Sequence, residues 1–300
     1  MHVPEAPQTD TLNSDNQYSS LSDLAAPDLT ALYLKARSEF RKLIKRAERI
    51  SRGSGGIPST GNRMFWSSIL FMRLSVTAKS LDILLPDPKP REHWDFGAVA
   101  SLARVLLEAA IVYNWLCGDK VDDDERKGRF ILLYLHDYGS RRRLFPDDFK
   151  DTSEVCEDLV RQFDENTFLQ RYDAKQRRVA LRGEKTPFIQ DDVLIQMEND
   201  PNQFRLLYRF LSQHTHTGPM AFYRIMEHDR GSGVETKHEK RYMLFAINAA
   251  WECLNQVIDE HLLIFPDAET RPPHLTPQQI EENVEVAQGR RKPRNHRRPV

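Results

Sequence analysis

From about Phe96 to Cys117 the chain is more apolar than anywhere else, and the only charges in that stretch, Arg104 and Glu108, stand four residues apart. The apolar residues leave no broad polar face, so the segment reads as a central helix that other elements must surround. Gly118 is its expected stop. Elsewhere apolar residues recur every three or four positions, and no alternating run is bounded by hairpin turns. The expected fold class is therefore all-α: a single multi-helix bundle with disordered N- and C-terminal tails. No internal repeat is visible.

A first helix is expected from about Asp28 to Arg52, with Leu32, Ala36, Phe40, Leu43, Ala47 and Ile50 as its apolar stripe. Lys35, Arg37, Arg41, Lys42, Lys45, Arg46 and Arg49 cover the remainder. Such a helix either docks by its stripe with a solvated basic face or binds RNA or an anionic membrane; docking is the preferred reading. After a glycine-rich link, a second helix runs from about Asn62 to Leu85, before Pro86. A fourth opens on the acids 122–125 and closes on Arg141, Arg142 and Arg143, which suits the helix dipole at both ends. A more polar helix is expected from Thr152 to about Arg178. The basic 171–185 stretch reads as a surface connection or as an excursion over a site. A short helix follows at 189–197, another at about 201–216, and a long one at about 239–265, which includes Trp251 in its buried side. Residues 1–26 and 266–300 are expected to be disordered, leaving a helical domain over 27–265.

Composition narrows function only broadly. The formal net charge is −1, yet Arg290, Arg291, Lys292, Arg294, Arg297 and Arg298 crowd the C-terminus. The body is thus mildly acidic and its tail basic, unlike a domain coated with nucleic acid. Cys117, Cys156 and Cys253 show no CxxC spacing, so neither a zinc site nor a disulfide framework is expected, and reduced core thiols are. The N-terminus has no secretory pattern, and no apolar run is read as bilayer-spanning; the best candidate, 65–76, is broken by Ser67, Ser68, Arg73 and Ser75. A cytoplasmic protein without membrane insertion is expected.

The candidate chemistry lies in Arg209, Ser212 and His216. Seven residues of helix bring Arg209 and His216 to within about 20° of one another. Gly218-Pro219 ends the helix, so His216 borders a loop. His216 suits a general acid or base, Arg209 a phosphate, and Ser212 can hydrogen-bond either. These are parts for metal-independent RNA cleavage. The plainer alternative is that His216 caps the helix end and Arg209 sits in solvent. Arg104 and Glu108 read either as an ion pair specifying how the bundle packs, the preferred reading, or as support for the same site. His214 is a further supporting candidate. On a helix His214 and His216 point about 200° apart, so they do not share a metal. His136-Asp137 lacks the further ligands of a metal phosphohydrolase. No P-loop, dinucleotide fingerprint, GxSxG or HExxH is present, and neither metal nor cofactor is expected.

Two stretches together carry a resemblance. Ser101-Leu-Ala-Arg104-Val-Leu-Leu-Glu108-Ala-Ala110 and Tyr208-Arg-Phe-Leu-Ser212-Gln-His-Thr-His216 resemble the paired helices of a largely bacterial family known as domain of unknown function 5677. That resemblance covers about 62–265 and implies a helical fold without an assigned activity. The run from Arg209 to His214 or His216 is also similar to the arginine-to-histidine spacing of HEPN domains, many of which are RNases. Phe210 follows the arginine where those domains commonly carry a polar residue. This second resemblance implies a metal-independent endoribonuclease of toxin or defence type, with RNA as partner and a homodimer as its working form. The competing expectation is a protein-interaction or anionic-ligand-binding bundle without catalysis.

Overall fold

Helix ends are written into the local sequence. Asp95, Asp122, Asp200 and Thr236 each accept a backbone N–H from the first turn of the helix that follows, the usual service of a capping side chain. The computed structural model describes residues 26–89, 92–118, 120–147, 153–183, 190–197, 199–216, 218–225 and 233–272. Within them lie α1 (Ala26–Ser54), α2 (Asn62–Leu84), α3 (Phe96–Cys117), α4 (Asp123–Leu144) and α5 (Ser153–Glu165). Then come α6 (Ala174–Arg182), α7 (Gln190–Gln196), α8 (Pro201–Thr215), α9 (Pro219–Ile225) and α10 (Lys237–Ile264). No strand occurs among the described residues. The fold is all-α. The expected tails fall largely outside the described residues, at 1–25 and 273–300.

α3 is the hub. It packs against α2, α10 and α8, and 14 of its 22 residues are buried. Leu106 and Leu107 are fully enclosed, and each such side chain contributes about 1.5–3 kcal/mol. By length and composition α3 is apolar enough to cross a bilayer, which the sequence reading denied for every segment. Its apolar faces are instead occupied by neighbouring helices.

α1 docks on α2 and α10 through Leu29, Tyr33, Phe40, Leu43, Ala47 and Ile50. Leu32, assigned to this stripe from sequence, is 37 % exposed, because the register passes through Leu29 and Tyr33 instead. Its cations meet acids from distant segments. Arg41 Nε donates to Asp82 (2.8 Å), Arg37 pairs with Asp87, and Arg46 and Arg49 both hold Glu269 (2.9 and 3.0 Å). Ala268 is fully buried, so the packed body extends past 265, where sequence placed its end. Trp251 is 37 % exposed rather than core.

The helix expected over 152–178 divides. Asn166 and Thr167 turn the chain by bonding Asp124, and Asp173 opens α6 with a capping box to Gln176. α6 then lies on α4, where Gly139 and Gly183 meet. Gly183 has φ +59°, and a Cβ there would stand 2.3 Å from the Leu135 carbonyl oxygen. Gly183→Ala is expected to cost about 2–4 kcal/mol through a left-handed backbone and overpacking. A thermal melt should then fall by about 5–10 °C; an unchanged melt would mean that α6 does not close on α4.

The core also contains a polar box. His261 is fully buried and stacks on Phe71 (3.9 Å). Its Nδ1 lies 2.9 Å from Ser67 Oγ and 3.1 Å from Tyr113 Oη, and its Nε2 lies 3.1 Å from Ser54 Oγ. Burial pushes the imidazole pKa down to about 3, so the ring is neutral. Burial likewise pushes the thiols of Cys117 and Cys253 up to about 12, leaving them poor nucleophiles.

Candidate functional site

α3 and α8 run antiparallel. The carbonyl of His214 approaches Gly97, Ser101 Oγ lies 3.4 Å from Thr215 Oγ1, and Tyr208 meets Glu108 further along. Gly97, Ser101, Arg104 and Glu108 recur at helical spacing, so one stripe of α3 faces the second helix. Small residues stand at the start of that stripe, and long polar side chains at its other end.

Arg104 organises that end. Its Nη1 is 2.6 Å from His216 Nε2, and its Nη2 donates to Tyr208 Oη (2.7 Å). A guanidinium cannot accept, so His216 must accept through Nε2 and carry its proton on Nδ1. Tyr208 in turn donates to Glu108 Oε1 (2.6 Å), which also pairs with Arg104 Nη2 (3.1 Å). The guanidinium lies 4.8 Å from the Tyr208 ring centroid. Arg104 Nε is buried and bonds nothing among the described residues, so one donor of the fork is unmet.

Electrostatics follow from these contacts. Burial opposes the Arg104 charge, but the Tyr208 hydroxyl and the Glu108 carboxylate outweigh it and raise its pKa. Burial, then the bond to Glu108, raises that of Tyr208. The side chains of Arg104 and Glu108 are 19 % and 39 % exposed, so the cluster opens to solvent.

Sequence pointed to six residues, and the structure brings three of them together: Arg104, Glu108 and His216. Arg209 stands apart, exposed and without an ion pair among the described residues. The physical reason is that His216 leaves the helix as its C-cap (φ −98°, ψ 10°), where it meets α3 instead of its own helix. Ser212 is half-buried; its carbonyl accepts the His216 N–H (3.0 Å), while its hydroxyl bonds neither His216 nor Arg209. His214 faces the core, edge-on to Phe96 (4.7 Å) and Phe210 (4.9 Å), away from Arg104. Tyr208 is the site member that sequence reasoning passed over. Its signal was present: Tyr208 and Ser212 stand one turn apart, directly before His216.

Among the described residues no group of three or more His, Cys, Asp or Glu is placed to hold a metal ion. Asp137, paired with His136 in the sequence reading, bonds Arg141 instead (2.9 Å).

A family model described as a family of unknown function (DUF5677) matches residues 64–233. The match spans all four residues of the cluster and stops before α10. No curated protein and no solved structure matches the chain.

Proposed function

The chain belongs to the family of unknown function DUF5677, and from that premise we propose that the α3–α8 cluster binds a phosphodiester and cleaves RNA without a metal. This is a HEPN-like endoribonuclease of toxin or defence type, acting in the cytoplasm, and a homodimer belongs to the same proposal. The observation that carries it is the fork of Arg104, whose Nη1 holds the lone pair of His216 while Nη2 holds Tyr208. Without substrate, that bond keeps His216 from acting as a base. A phosphate oxygen entering between them accepts from Nη1 and frees Nε2.

Each residue then has a task. His216 Nε2 takes the proton of the ribose 2′-hydroxyl. The 2′-oxygen bonds to phosphorus, the bond from phosphorus to the 5′-oxygen breaks, and water protonates the departing oxygen. Arg104 stabilises the charge gathering on the non-bridging oxygens. Glu108 and Tyr208 position Arg104, a role a carboxylate and a hydroxyl fill by fixing the plane of the fork. Arg209 contributes long-range attraction from the rim, and Ser212 a hydroxyl beside the path of the strand.

Incubation with a broad RNA pool in EDTA tests this directly. Wild type is expected to leave 2′,3′-cyclic phosphate ends, and His216→Ala none while its helical circular dichroism persists. An intact pool with wild type would reject the cleavage reading. A second reading, a non-catalytic anion site, is favoured by the same Arg104, a partly exposed cation that keeps one donor unmet. It is supported if inorganic phosphate raises the melting temperature of wild type but not of Arg104→Ala, and RNA stays whole.

A further inference from the structure

Two parts of the described chain are strongly basic, and their charges have different surroundings. Arg37, Arg41, Arg46 and Arg49 of α1 are matched by Asp82, Asp87 and Glu269, each from a distant segment. Where α4 ends and α6 lies, Arg141 and Arg177 hold Asp137 and Asp164, but five other cations are not matched. Arg142, Arg143, Arg171, Lys175 and Arg178 are exposed, and none pairs with a carboxylate among the described residues. Like charges left together repel and lower stability, so an unmatched group of this size marks a surface that meets an anion.

Local structure gathers them. Lys175, Arg178 and Arg182 follow at spacings of three and four, one stripe about 10 Å long on the solvent side of α6. Arg177, on another face, holds a carboxylate, Asp164 (2.8 Å). The glycine contact between Gly139 and Gly183 seats the end of α6 on α4. Arg143 fastens it by donating to the Gly183 carbonyl (3.0 Å) and the Arg182 carbonyl (3.4 Å). The end of α4 and the stripe of α6 thus form one continuous face. Phe145 closes α4 three residues after Arg142 and is 54 % exposed.

We propose that this α4–α6 face is a docking surface for single-stranded RNA, separate from the Arg104–His216 cluster. The cations follow the phosphate backbone and Phe145 offers a ring on which a base stacks. Exposed cations in a row beside an exposed aromatic are the chemistry by which proteins hold single strands without reading sequence. The proposal rests on the cleavage reading for the choice of RNA as the polyanion; the surface itself rests on charge and placement.

The test uses the full chain and a fluorescent 2′-O-methyl oligouridine of about 20 nucleotides, which lacks the attacking hydroxyl and stays whole. Its Kd is measured by anisotropy from about 50 to 300 mM salt, beside the triple variant Arg142→Ala, Lys175→Ala, Arg178→Ala. These side chains hold no other group, so the fold is expected to persist. Three lost phosphate contacts at about 0.7 each lower the slope of log Kd against log salt by about 2 and raise Kd at least about tenfold near 0.1 M salt. The double variant Arg142→Lys, Arg178→Lys is expected to keep the wild-type slope.

An unchanged slope in the alanine variant would overturn the proposal, as would equal losses in the lysine variant. Binding to phosphatidylserine vesicles with none to the oligomer would overturn it in favour of a membrane. Oligomer binding of the expected kind, with RNA left uncut by wild type, would end the cleavage reading and leave this surface standing. Cleavage with an unaltered slope would end the surface alone.

Discussion

If the proposed cleavage holds, Arg104→Ala is expected to lower it by about 10²- to 10³-fold, the loss that follows removal of one preorganised donor to a developing oxyanion. Arg209→Ala is expected to change it by no more than about threefold, because an exposed cation acts only through screened long-range attraction. The contrast separates the observed cluster from a pairing within α8 alone. Arg104→Lys should fall between wild type and alanine. An ammonium keeps the charge, but it cannot present two fixed donors to His216 and Tyr208 at once. Loss of Arg104 also leaves Glu108 solvated and still bonded to Tyr208, so the fold should hold. Single-turnover cleavage beside far-ultraviolet circular dichroism measures both effects. Equal losses in Arg104→Ala and Arg209→Ala would return the phosphate to Arg209.

Stability should decline as pH falls from about 6.5, well before the carboxylates titrate. His261 is held neutral in its box, with its pKa depressed from 6.5 to about 3 by burial. In the unfolded chain the same ring protonates near its ordinary pKa. Between those values the unfolded state binds the extra proton, and stability rises with pH. Working downward, the protein loses about 2–3 kcal/mol between pH 6.5 and 4.5. Asp87, Asp124, Asp164 and Glu269 have lowered pKa values and also lose stability toward acid, but only below about pH 4.5. Denaturant titrations at half-unit steps resolve the two windows. His261→Gln, which keeps polar contacts for the serines, should flatten the upper window at some cost in baseline stability. A stability curve level from pH 6.5 to 5 in wild type would contradict a neutral, enclosed His261.

Within-helix pattern was the legible part of the molecule. α3 stood out by its apolarity, α4 by acids at one end and arginines at the other, and the opposed faces of His214 and His216 followed from helical geometry. What a helical projection cannot supply is the identity of the facing helix. His216 was set beside Arg209 because both lie on α8, yet its partner Arg104 comes 112 residues earlier in the chain. The acids that quiet α1 are likewise distant, with Glu269 223 residues from Arg46. The break between α5 and α6 depends on Asn166 and Thr167 reaching back to Asp124, a contact that no local propensity encodes. The Arg104–Glu108 pair was read chiefly as packing. Its opening toward solvent and its link to Tyr208 emerge only when α8 is laid against α3.

The pairing of α1 with α10 has a consequence for how the protein is made. Lys240 reaches Thr30, and His261 reaches Ser54, so α1 and α10 run side by side in the same direction. A ribosome adding about 5–20 residues per second needs roughly 10–40 s between finishing α1 and finishing α10. Throughout that interval one flank of α1, apolar and rimmed with cations awaiting Glu269, is open on the nascent chain. That flank stays uncovered until α10 emerges, which leaves α1 in need of chaperone cover during synthesis.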